Sequence, residues 1–295
     1  VTGVQTCALP IYGKVRIWSI STGECRILEF VPTEFELEID PVDEYDEDLP
    51  NLHINSVAWS HNGALIAAGF ESGIVRVWNV STGKCILEIL SESDPVLFEC
   101  GVTSVSFNCH GTLAFCSRDQ KISIFDFRSG ERIYLAEPSG YAHEGGVNTV
   151  EWDSTGTLLV SGGHDHIVRV WDVLTGTCIK TLKGHTDNVM SVMWNDRGEL
   201  VSCGLSGSLF LWDLKSEKAI AVDEGVIARS YSATLDPSGR LAAVGHVDSK
   251  IAIWDIKTRA FHNFGTPGIV NLVVWGQDGR LASCGSYGIE IMVQI

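Results

Sequence analysis

The chain has 295 residues, 45% apolar and 20% charged, a balance that supports a packed core and excludes global disorder. Its 37 acidic residues outnumber 21 basic ones and give a formal net charge of -16, which disfavours nucleic acid and anionic membranes as direct ligands. The nine cysteines form no Cys-x-x-Cys pair, and no apolar run reaches the roughly 18 residues of a membrane helix. We therefore expect an intracellular protein, cytoplasmic or nuclear.

The first eleven residues, Val1 to Ile11, lack the basic start and the long apolar stretch of a signal peptide. One reverse translation of this segment reads as a common sequencing-adapter oligonucleotide. We therefore interpret 1–11 as a non-native segment and 12–295 as the folded domain, with the native upstream part of that domain missing.

One phrase recurs seven times: apolar, any residue, apolar, aromatic, then usually Asp or Asn. Successive anchors are 60, 47, 46, 41, 42 and 38 residues apart, and most of these spacings lie near the roughly 40 to 45 residues of a four-stranded repeat. Between anchors, each unit contains four alternating segments separated by turn residues, as VNTVEWD, TLLVSGG, IVRVWDV and CIKTLKG show between Val147 and Gly184. The anchors are Trp18, Trp78, Phe125, Trp171, Trp212, Trp254 and Met292.

These phrases resemble the WD40, or transducin-like, repeat family over essentially all of 12–295. The resemblance implies an all-β fold, a seven-bladed WD40 β-propeller in which each sheet buries its faces against its neighbours. Residues 12–30 supply only the third and fourth strands of a first blade, and 269–295 supply the first three strands of a last blade. We expect an N-terminally truncated ring with incomplete first and last blades and a strained or open closure.

The resemblance also implies a stabilising hydrogen-bond chain in which a loop His, a strand Ser or Thr, a turn Asp and the anchor Trp link successive strands. The following repeat keeps the His, Ser and Trp but carries Ser206 at the Asp position. The tetrad is complete in one repeat, at His143, Ser161, Asp165 and Trp171.

The spacing of 60 reflects an acidic insertion at 29–50. Its stretch from Glu29 to Asp48 has ten acidic residues and no Lys or Arg. Such a run is typical of a solvated, solubilising loop, and the alternative is a docking site for basic segments of other proteins. The candidate contacts in this loop are Asp43, Glu44, Asp46, Glu47 and Asp48.

In antiparallel four-stranded blades, the turn between strands two and three emerges on the same face as the link to the next blade. The acidic loop therefore overhangs the mouth that these turns line. Loops on a rigid scaffold are where binding usually resides, so this face is the predicted partner-binding face. The turn residues expected there are Glu71, Arg118, His164, Leu205, Val247 and Tyr287.

No catalytic, metal or cofactor site is predicted. Asp165 belongs to the tetrad, and adjacent side chains on a strand point to opposite sides, so the run His164, Asp165, His166 is a poor metal site. The cysteines seven residues after three anchors, Cys25, Cys85 and Cys178, are interpreted as small buried fillers of separate blades.

The predicted function is a non-catalytic scaffold for protein–protein interactions in a multiprotein complex. Several first strands end in Trp, as in SVAWS and TVEWD, and this resembles the transducin beta-like corepressor subunits, which implies a corepressor or chromatin-associated role. The alternatives are a cytoplasmic assembly or signalling adaptor and, third, a propeller with hidden hydrolase activity.

Overall fold

The computed structural model describes residues 15–18, 25–28, 53–90, 100–194, 198–223, 229–275, 279–285 and 288–292. Within them the chain forms strands and no helix, and the strands make seven antiparallel sheets. Five sheets have four strands, the first has two and the last has three. The predicted all-β architecture of seven units is confirmed, with fewer strands in the first and last units among the described residues.

Each sheet is a meander, because its strands lie side by side in sequence order. In chain order the sheets are sheet 1 with β1 (Arg16–Trp18) and β2 (Cys25–Ile27); sheet 2 with β3 (Ile54–Trp59), β4 (Leu65–Phe70), β5 (Ile74–Asn79) and β6 (Cys85–Leu90); sheet 3 with β7 (Val102–Phe107), β8 (Thr112–Ser117), β9 (Ile122–Asp126) and β10 (Arg132–Leu135); sheet 4 with β11 (Val147–Trp152), β12 (Leu158–Gly163), β13 (Ile167–Asp172) and β14 (Thr177–Lys183); sheet 5 with β15 (Val189–Trp194), β16 (Leu200–Gly204), β17 (Leu209–Asp213) and β18 (Lys218–Asp223); sheet 6 with β19 (Ser230–Leu235), β20 (Leu241–His246), β21 (Lys250–Asp255) and β22 (Ala260–Gly265); and sheet 7 with β23 (Val270–Trp275), β24 (Leu281–Gly285) and β25 (Gly288–Met292).

The core lies between successive sheets. Six buried apolar clusters each combine residues from two neighbouring sheets, from the pair formed by sheets 1 and 2 to the pair formed by sheets 6 and 7. The anchors Trp78, Trp171 and Trp254 are fully buried, whereas Phe125 is half-buried and packs edge-to-face on Phe127 with ring centroids 5.1 Å apart. Sheets 2 to 6 therefore bury both of their faces against neighbouring sheets, as the stacking argument predicts. The predicted strained or open closure of the ring stays a prediction.

A position near the end of each second strand is always small. Glycine and cysteine alternate there, and the position faces the start of the next sheet's first strand: a Cβ on Gly162 would lie 2.8 Å from Val189 Cβ, and one on Gly245 would lie 2.6 Å from Val270 Cγ1. The first strands of successive sheets pack directly against one another, so the small side chain sets how closely they approach. The described members are Gly69, Cys116, Gly162, Cys203 and Gly245.

The cysteines after the anchors do not all fill the core. Cys85 is exposed and Cys178 is half-buried, so the expectation of a buried filler is wrong for Cys85. The side chain of Cys25 lies outside the described residues. Cys116 and Cys203 are buried on second strands, where burial raises the pKa of each thiol to about 12, and Cys100 is buried ahead of the first strand of sheet 3.

Gly162→Ala is expected to destabilise the chain by about 1–3 kcal/mol, because the added methyl overlaps Val189 and forces sheets 4 and 5 apart. Adding Val189→Ala removes the Cγ atoms but leaves Val189 Cβ 2.8 Å from the new methyl, so it should restore only part of the loss. Urea unfolding of the single and double variants measures both effects. Gly265→Ala is the control, since a Cβ there meets no atom within 4 Å; equal losses for the two glycine variants would contradict the packing argument.

Candidate functional site

In sheets 2 to 6 the turn between the second and third strands lies at the same end of the sheet as the residue that precedes the first strand. We call the face of the ring formed by these ends the link face. The five predicted turn residues that the structure describes occupy equivalent places on it. Each donates its backbone N–H to the residue that precedes the first strand of its own sheet, over 2.8 to 3.1 Å. These bonds join Glu71 to His53, Arg118 to Gly101, His164 to Gly146, Leu205 to Asn188 and Val247 to Arg229.

The remaining predicted contacts lie outside the described residues. They are Tyr287 and the acidic-loop residues Asp43, Glu44, Asp46, Glu47 and Asp48. Their part in docking stays a prediction, as does the division of the chain at residue 11.

Sequence reasoning missed a second set of mouth residues. The first strand of every sheet from 2 to 7 contains a register shift beside the link face, where one extra residue is inserted. Such a bulge re-aims the side chain of the extra residue, and strict alternation gives no sign of it. The extra residues are Asn55, Thr103, Asn148, Met190, Tyr231 and Asn271.

Three of these extra residues form hydrogen bonds from sheets 2, 3 and 4 to the sheet that follows. Asn55 Nδ2 donates to the Val102 carbonyl at 3.0 Å. Thr103 Oγ1 donates to the Val147 carbonyl at 2.6 Å, and Asn148 Nδ2 donates to the Val189 carbonyl at 2.9 Å. In each case the acceptor opens the first strand of the following sheet, so the bonds clamp sheets 2 to 5 at the mouth.

An ion pair crosses the mouth between sheets 2 and 3. Arg118 Nη1 donates to Glu71 Oε1, and Asn55 Nδ2 donates to Glu71 Oε2 at 2.6 Å. The Arg118 side chain is 45% exposed, so the pair contributes little to stability. It does hold both side chains at the mouth.

The structure brings the four tetrad residues together in sheet 4. Trp171 Nε1 donates to Ser161 Oγ at 2.8 Å, Ser161 Oγ lies 2.6 Å from His143 Nε2, and His143 Nδ1 lies 2.8 Å from Asp165 Oδ1. Burial alone would raise the pKa of Asp165, but hydrogen bonds and charges of His143 and Arg169 lower it to about 2. Burial lowers the pKa of His143.

These pKa directions fix the protons of the tetrad at neutral pH. The ionised Asp165 carboxylate can only accept, so the neutral His143 that bonds to it carries its proton on Nδ1, and Arg169 Nη1, 2.8 Å from the same nitrogen, then has Asp165 as its acceptor. His143 Nε2 is then an acceptor, and the Ser161 hydroxyl donates to it. Arg169 Nη1 donates to the other Asp165 oxygen at 2.6 Å.

Ser161, His143 and Asp165 have the order of a nucleophile, base and orienting acid, but their placement does not suit that chemistry. Ser161 is 0% exposed and His143 is 1% exposed, and the Ser161 hydroxyl already receives the indole N–H of Trp171. A substrate cannot reach this oxygen in the folded chain. Within the described ranges, no group of three or more His, Cys, Asp or Glu side chains could hold a metal ion.

In sheet 5 the hydrogen-bond partners of His185 differ from those that the sequence predicts. His185 Nε2 lies 2.6 Å from Ser202 Oγ, which also accepts from Trp212. The partner of His185 Nδ1 is Ser208 at 3.2 Å, and Ser206 instead lies 3.4 Å from Ser208. A serine is one atom shorter than Asp, which is why the Ser206 position is bypassed. Burial and then the nearby His166 lower the pKa of His185 to about 3.

Ser206→Asp is expected to complete a second tetrad and stabilise the chain by about 1 kcal/mol, because a carboxylate would accept from His185 Nδ1. The pKa of His185 should rise, as measured by the pH dependence of its NMR signals. Thermal unfolding checks the stability. Ser206→Asn has the same shape without the charge and should give a smaller effect. An unchanged His185 pKa in the Asp variant would contradict this geometry.

Stability should be greatest near pH 6.5, because the lowered pKa values of His143 and His185 make it rise up to that pH and the raised pKa of Glu151 makes it fall above it. Burial raises the pKa of Glu151 from 4.5 to about 8, so its contribution is lost as pH rises. The depressed pKa of His185, about 3 against 6.5, gives a contribution that is lost as pH falls. Asp165, with a pKa of about 2 against 3.8, adds to the acid loss.

Glu151→Gln should remove the fall in stability between about pH 6.5 and 8 and leave stability rising from pH 3 to 6.5. Urea midpoints across the pH range measure both profiles. Glu144→Gln changes an exposed carboxylate and serves as the control. Superimposable profiles for the Glu151 variant and the wild type would contradict the assignment.

Comparison with known proteins agrees with this architecture. Residues 48–137 match the Vps8 beta-propeller family model, and residues 137–172 and 176–213 match the model for the WD domain, G-beta repeat. A chain in the crystal structure of the mitotic checkpoint complex superposes with a TM-score of 0.80 at 20% identity, covering 100% of this chain and 85% of that one. This likeness shows the fold.

Three curated relatives are similar to this chain over two thirds or more of its length. Periodic tryptophan protein 2 of Arabidopsis thaliana is 31% identical over 204 residues, which are 67% of this chain and 22% of that protein. THO complex subunit 3 of Arabidopsis thaliana is 32% identical over 210 residues, 69% of this chain and 63% of that protein. SIR4-interacting protein SIF2 of Saccharomyces cerevisiae is 24% identical over 272 residues, 87% and 44%.

The chain thus spans less than two thirds of the length of each of these three relatives. Seven sheets with buried aromatic anchors, the tetrad of sheet 4 and the matched repeats agree with one another. The chain belongs to the WD40-repeat β-propeller family.

Proposed function

We propose that this chain is a non-catalytic scaffold that binds other proteins at the link-face mouth as part of a multiprotein complex. WD40 propellers of this family serve as protein-interaction scaffolds in complexes. The observation that carries the proposal is the set of equivalent backbone bonds that hold five different turn side chains around one mouth of the ring. A rigid frame with variable side chains is the arrangement that binding loops use.

The partner proposed for this mouth is a basic protein segment. The chain carries a net charge of -16, and half of the residues in 29–48 are acidic. This charge attracts basic partners and disfavours nucleic acid. The acidic stretch 29–48 is proposed to contribute to this docking. In the described residues no helix is long and apolar enough to cross a membrane.

A nuclear, corepressor-type complex is the proposed setting, and a cytoplasmic adaptor is the alternative. The names of two relatives support a role in a multiprotein complex: one is a SIR4-interacting protein, and one is a subunit of the THO complex. Recovery of partners from nuclear extract, compared with cytoplasmic extract, separates the two settings. Hydrolase activity has no comparable support, because the Ser–His–Asp order of sheet 4 is buried.

Glu71→Lys and Leu205→Ala should each weaken recovery of the partners about tenfold, because the first places a positive charge against a basic partner and the second removes apolar surface from the link-face mouth. Matched changes on the opposite face, Glu131→Lys and Leu174→Ala, alter the same residue types at the turns between third and fourth strands. Leu174 is 94% exposed, so its removal tests a general loss of apolar surface. Quantitative pull-down at fixed salt measures all four variants; equal recovery by all of them contradicts docking at this mouth.

Deleting residues 29–48 tests the acidic segment separately. Recovery of basic partners should fall, and the remaining binding should depend less steeply on salt. Unchanged recovery with an unchanged salt dependence would mean that this segment has no part in docking.

A further inference from the structure

The fourth strand of each four-stranded sheet is its outer strand, and the outer edge of that strand has no partner strand among the described residues. Such an edge presents backbone N–H and C=O groups that can pair with another chain. Proteins commonly protect it with charged side chains, with a bulge or by keeping the strand short. The outer strands of sheets 2 to 6, which are β6, β10, β14, β18 and β22, can be compared for this protection.

Four of these five outer strands are protected. Strands β6, β14 and β18 each have a register shift against the third strand of their sheet, and β10 is only four residues long. All four also contain charged residues, which are Glu88 in β6, Arg132 in β10, Lys180 and Lys183 in β14, and Lys218 and Asp223 in β18.

Strand β22 lacks all three kinds of protection. Its six residues, Ala-Phe-His-Asn-Phe-Gly, pair with β21 without a register shift and include no Lys, Arg, Asp, Glu or Pro. Packing holds the strand in place: Phe261 stacks on Trp254 with ring centroids 6.1 Å apart, and Phe264 packs against the apolar cluster between sheets 6 and 7. The outer edge of sheet 6 is therefore regular and preformed.

The hydrogen bonds of sheet 6 assign the backbone groups that point outward from β22. The N–H of Thr266 donates to the carbonyl of Ser249 at 2.8 Å, so the backbone of Thr266 faces the third strand. Inward and outward backbone groups alternate along an antiparallel strand. The even-numbered residues of β22 therefore bond to β21, and the outward N–H and C=O groups belong to Phe261, Asn263 and Gly265.

The start of this edge is cationic. Lys257 and Arg259 are exposed in the turn that precedes β22, and neither forms an ion pair within the described ranges. The carboxylate of Asp255 at the start of the turn accepts instead from Arg240 Nη2 at 2.7 Å. The equivalent turn of sheet 5 differs, because Glu217 stands at the place of Arg259.

These two cations favour an acidic occupant over a second copy of this chain. Two β22 strands paired antiparallel would bring the start of one strand next to the end of the other, where Lys250 already pairs with Asp248 at 2.7 Å. No free carboxylate would then meet Lys257 or Arg259. Exposed charges act over about 8 Å at physiological salt, so the local cations outweigh the net charge of the whole chain for a segment that lies against them.

We propose that β22 binds an extended segment of another protein, which adds a fifth strand to sheet 6 and places an acidic C-terminal end beside Lys257 and Arg259. The added strand continues the antiparallel order of the sheet. Main-chain hydrogen bonds to Phe261, Asn263 and Gly265 supply the affinity, and the acidic end sets the direction. This edge is separate from the link-face mouth, so the inference does not rest on the proposed function.

A Thr/Val peptide that ends in two Asp residues tests the chemistry on the whole chain. Fluorescence anisotropy should show binding, and the peptide with both Asp residues at its N-terminal end should bind about threefold more weakly. Lys257→Glu should weaken the first peptide about fivefold. Lys215→Glu changes the equivalent exposed lysine of sheet 5 and should leave the affinity unchanged. Absence of binding, or equal effects of the two Lys variants, would overturn the proposal.

Asn263→Pro tests the edge itself. Proline removes one outward N–H and leaves the bonds to β21 in place, as proline does on edge strands, so binding should weaken at least about tenfold. Asn263→Thr keeps the N–H and should bind as the wild type does. Thermal unfolding checks that both variants fold. Equal binding by the Pro and Thr variants would show that the backbone of this edge is not the site.

Amide hydrogen exchange locates the peptide without any variant. The amides of Phe261, Asn263 and Gly265 should exchange rapidly in the free chain and about tenfold more slowly with the peptide bound. The amides of His262 and Phe264 should be protected in both states. Protection that rises with protein concentration alone would assign the edge to a second copy and overturn the proposal. Glu71→Lys, which alters the link-face mouth, should not change peptide binding; a loss would place the peptide at the mouth instead.

Discussion

The close approach of successive first strands is the constraint on which the rest of the molecule depends. Every sheet leaves two apolar faces that it cannot bury alone, and the neighbouring sheet covers each one only if the first strands nearly touch. Glycine or cysteine at the end of the second strand permits this approach. The same contact brings the start of each first strand within reach of the side chain that precedes it around the ring, so the mouth and the core are products of one geometry.

The clamps of Asn55, Thr103 and Asn148 show how this geometry creates a site. A first strand at the centre of a ring has a free edge, and its backbone groups need partners. In sheets 3 to 5 a side chain from the preceding sheet satisfies a carbonyl at that edge. In sheets 5 and 6 the equivalent side chains are Met190 and Tyr231, which cannot donate to the next strand in this way. Part of the mouth therefore gains rigidity, and the other part retains apolar surface.

Periodicity in the sequence predicts much of this structure but not its irregularities. The anchors and the four segments of 147–184 give the strands β11 to β14 in order, because alternation and turn residues act locally. The tetrad is predicted by the resemblance to WD40 repeats, and the structure brings its four residues together. The extra residues of the first strands are not predicted, because a bulge depends on hydrogen bonds with a partner strand and leaves no mark in the pattern. Ser208 was missed for a similar reason: it reaches His185 from a position that holds Ile167 in the preceding sheet.

The two histidine chains show what one carboxylate adds to a repeat of otherwise equal composition. In sheet 4 Asp165 can only accept, so every proton from Trp171 to Asp165 has one possible direction. In sheet 5 the hydroxyl of Ser208 can donate or accept, and both ring nitrogens of His185 face hydroxyls that allow either tautomer. The sheet 5 chain is satisfied without being ordered by charge. Sheet 5 is also where the clamps at the mouth end, because its extra first-strand residue is Met190 instead of an Asn or Thr. The less constrained hydrogen-bond chain and the loss of the clamp therefore occur in the same repeat, next to the ordered tetrad of sheet 4.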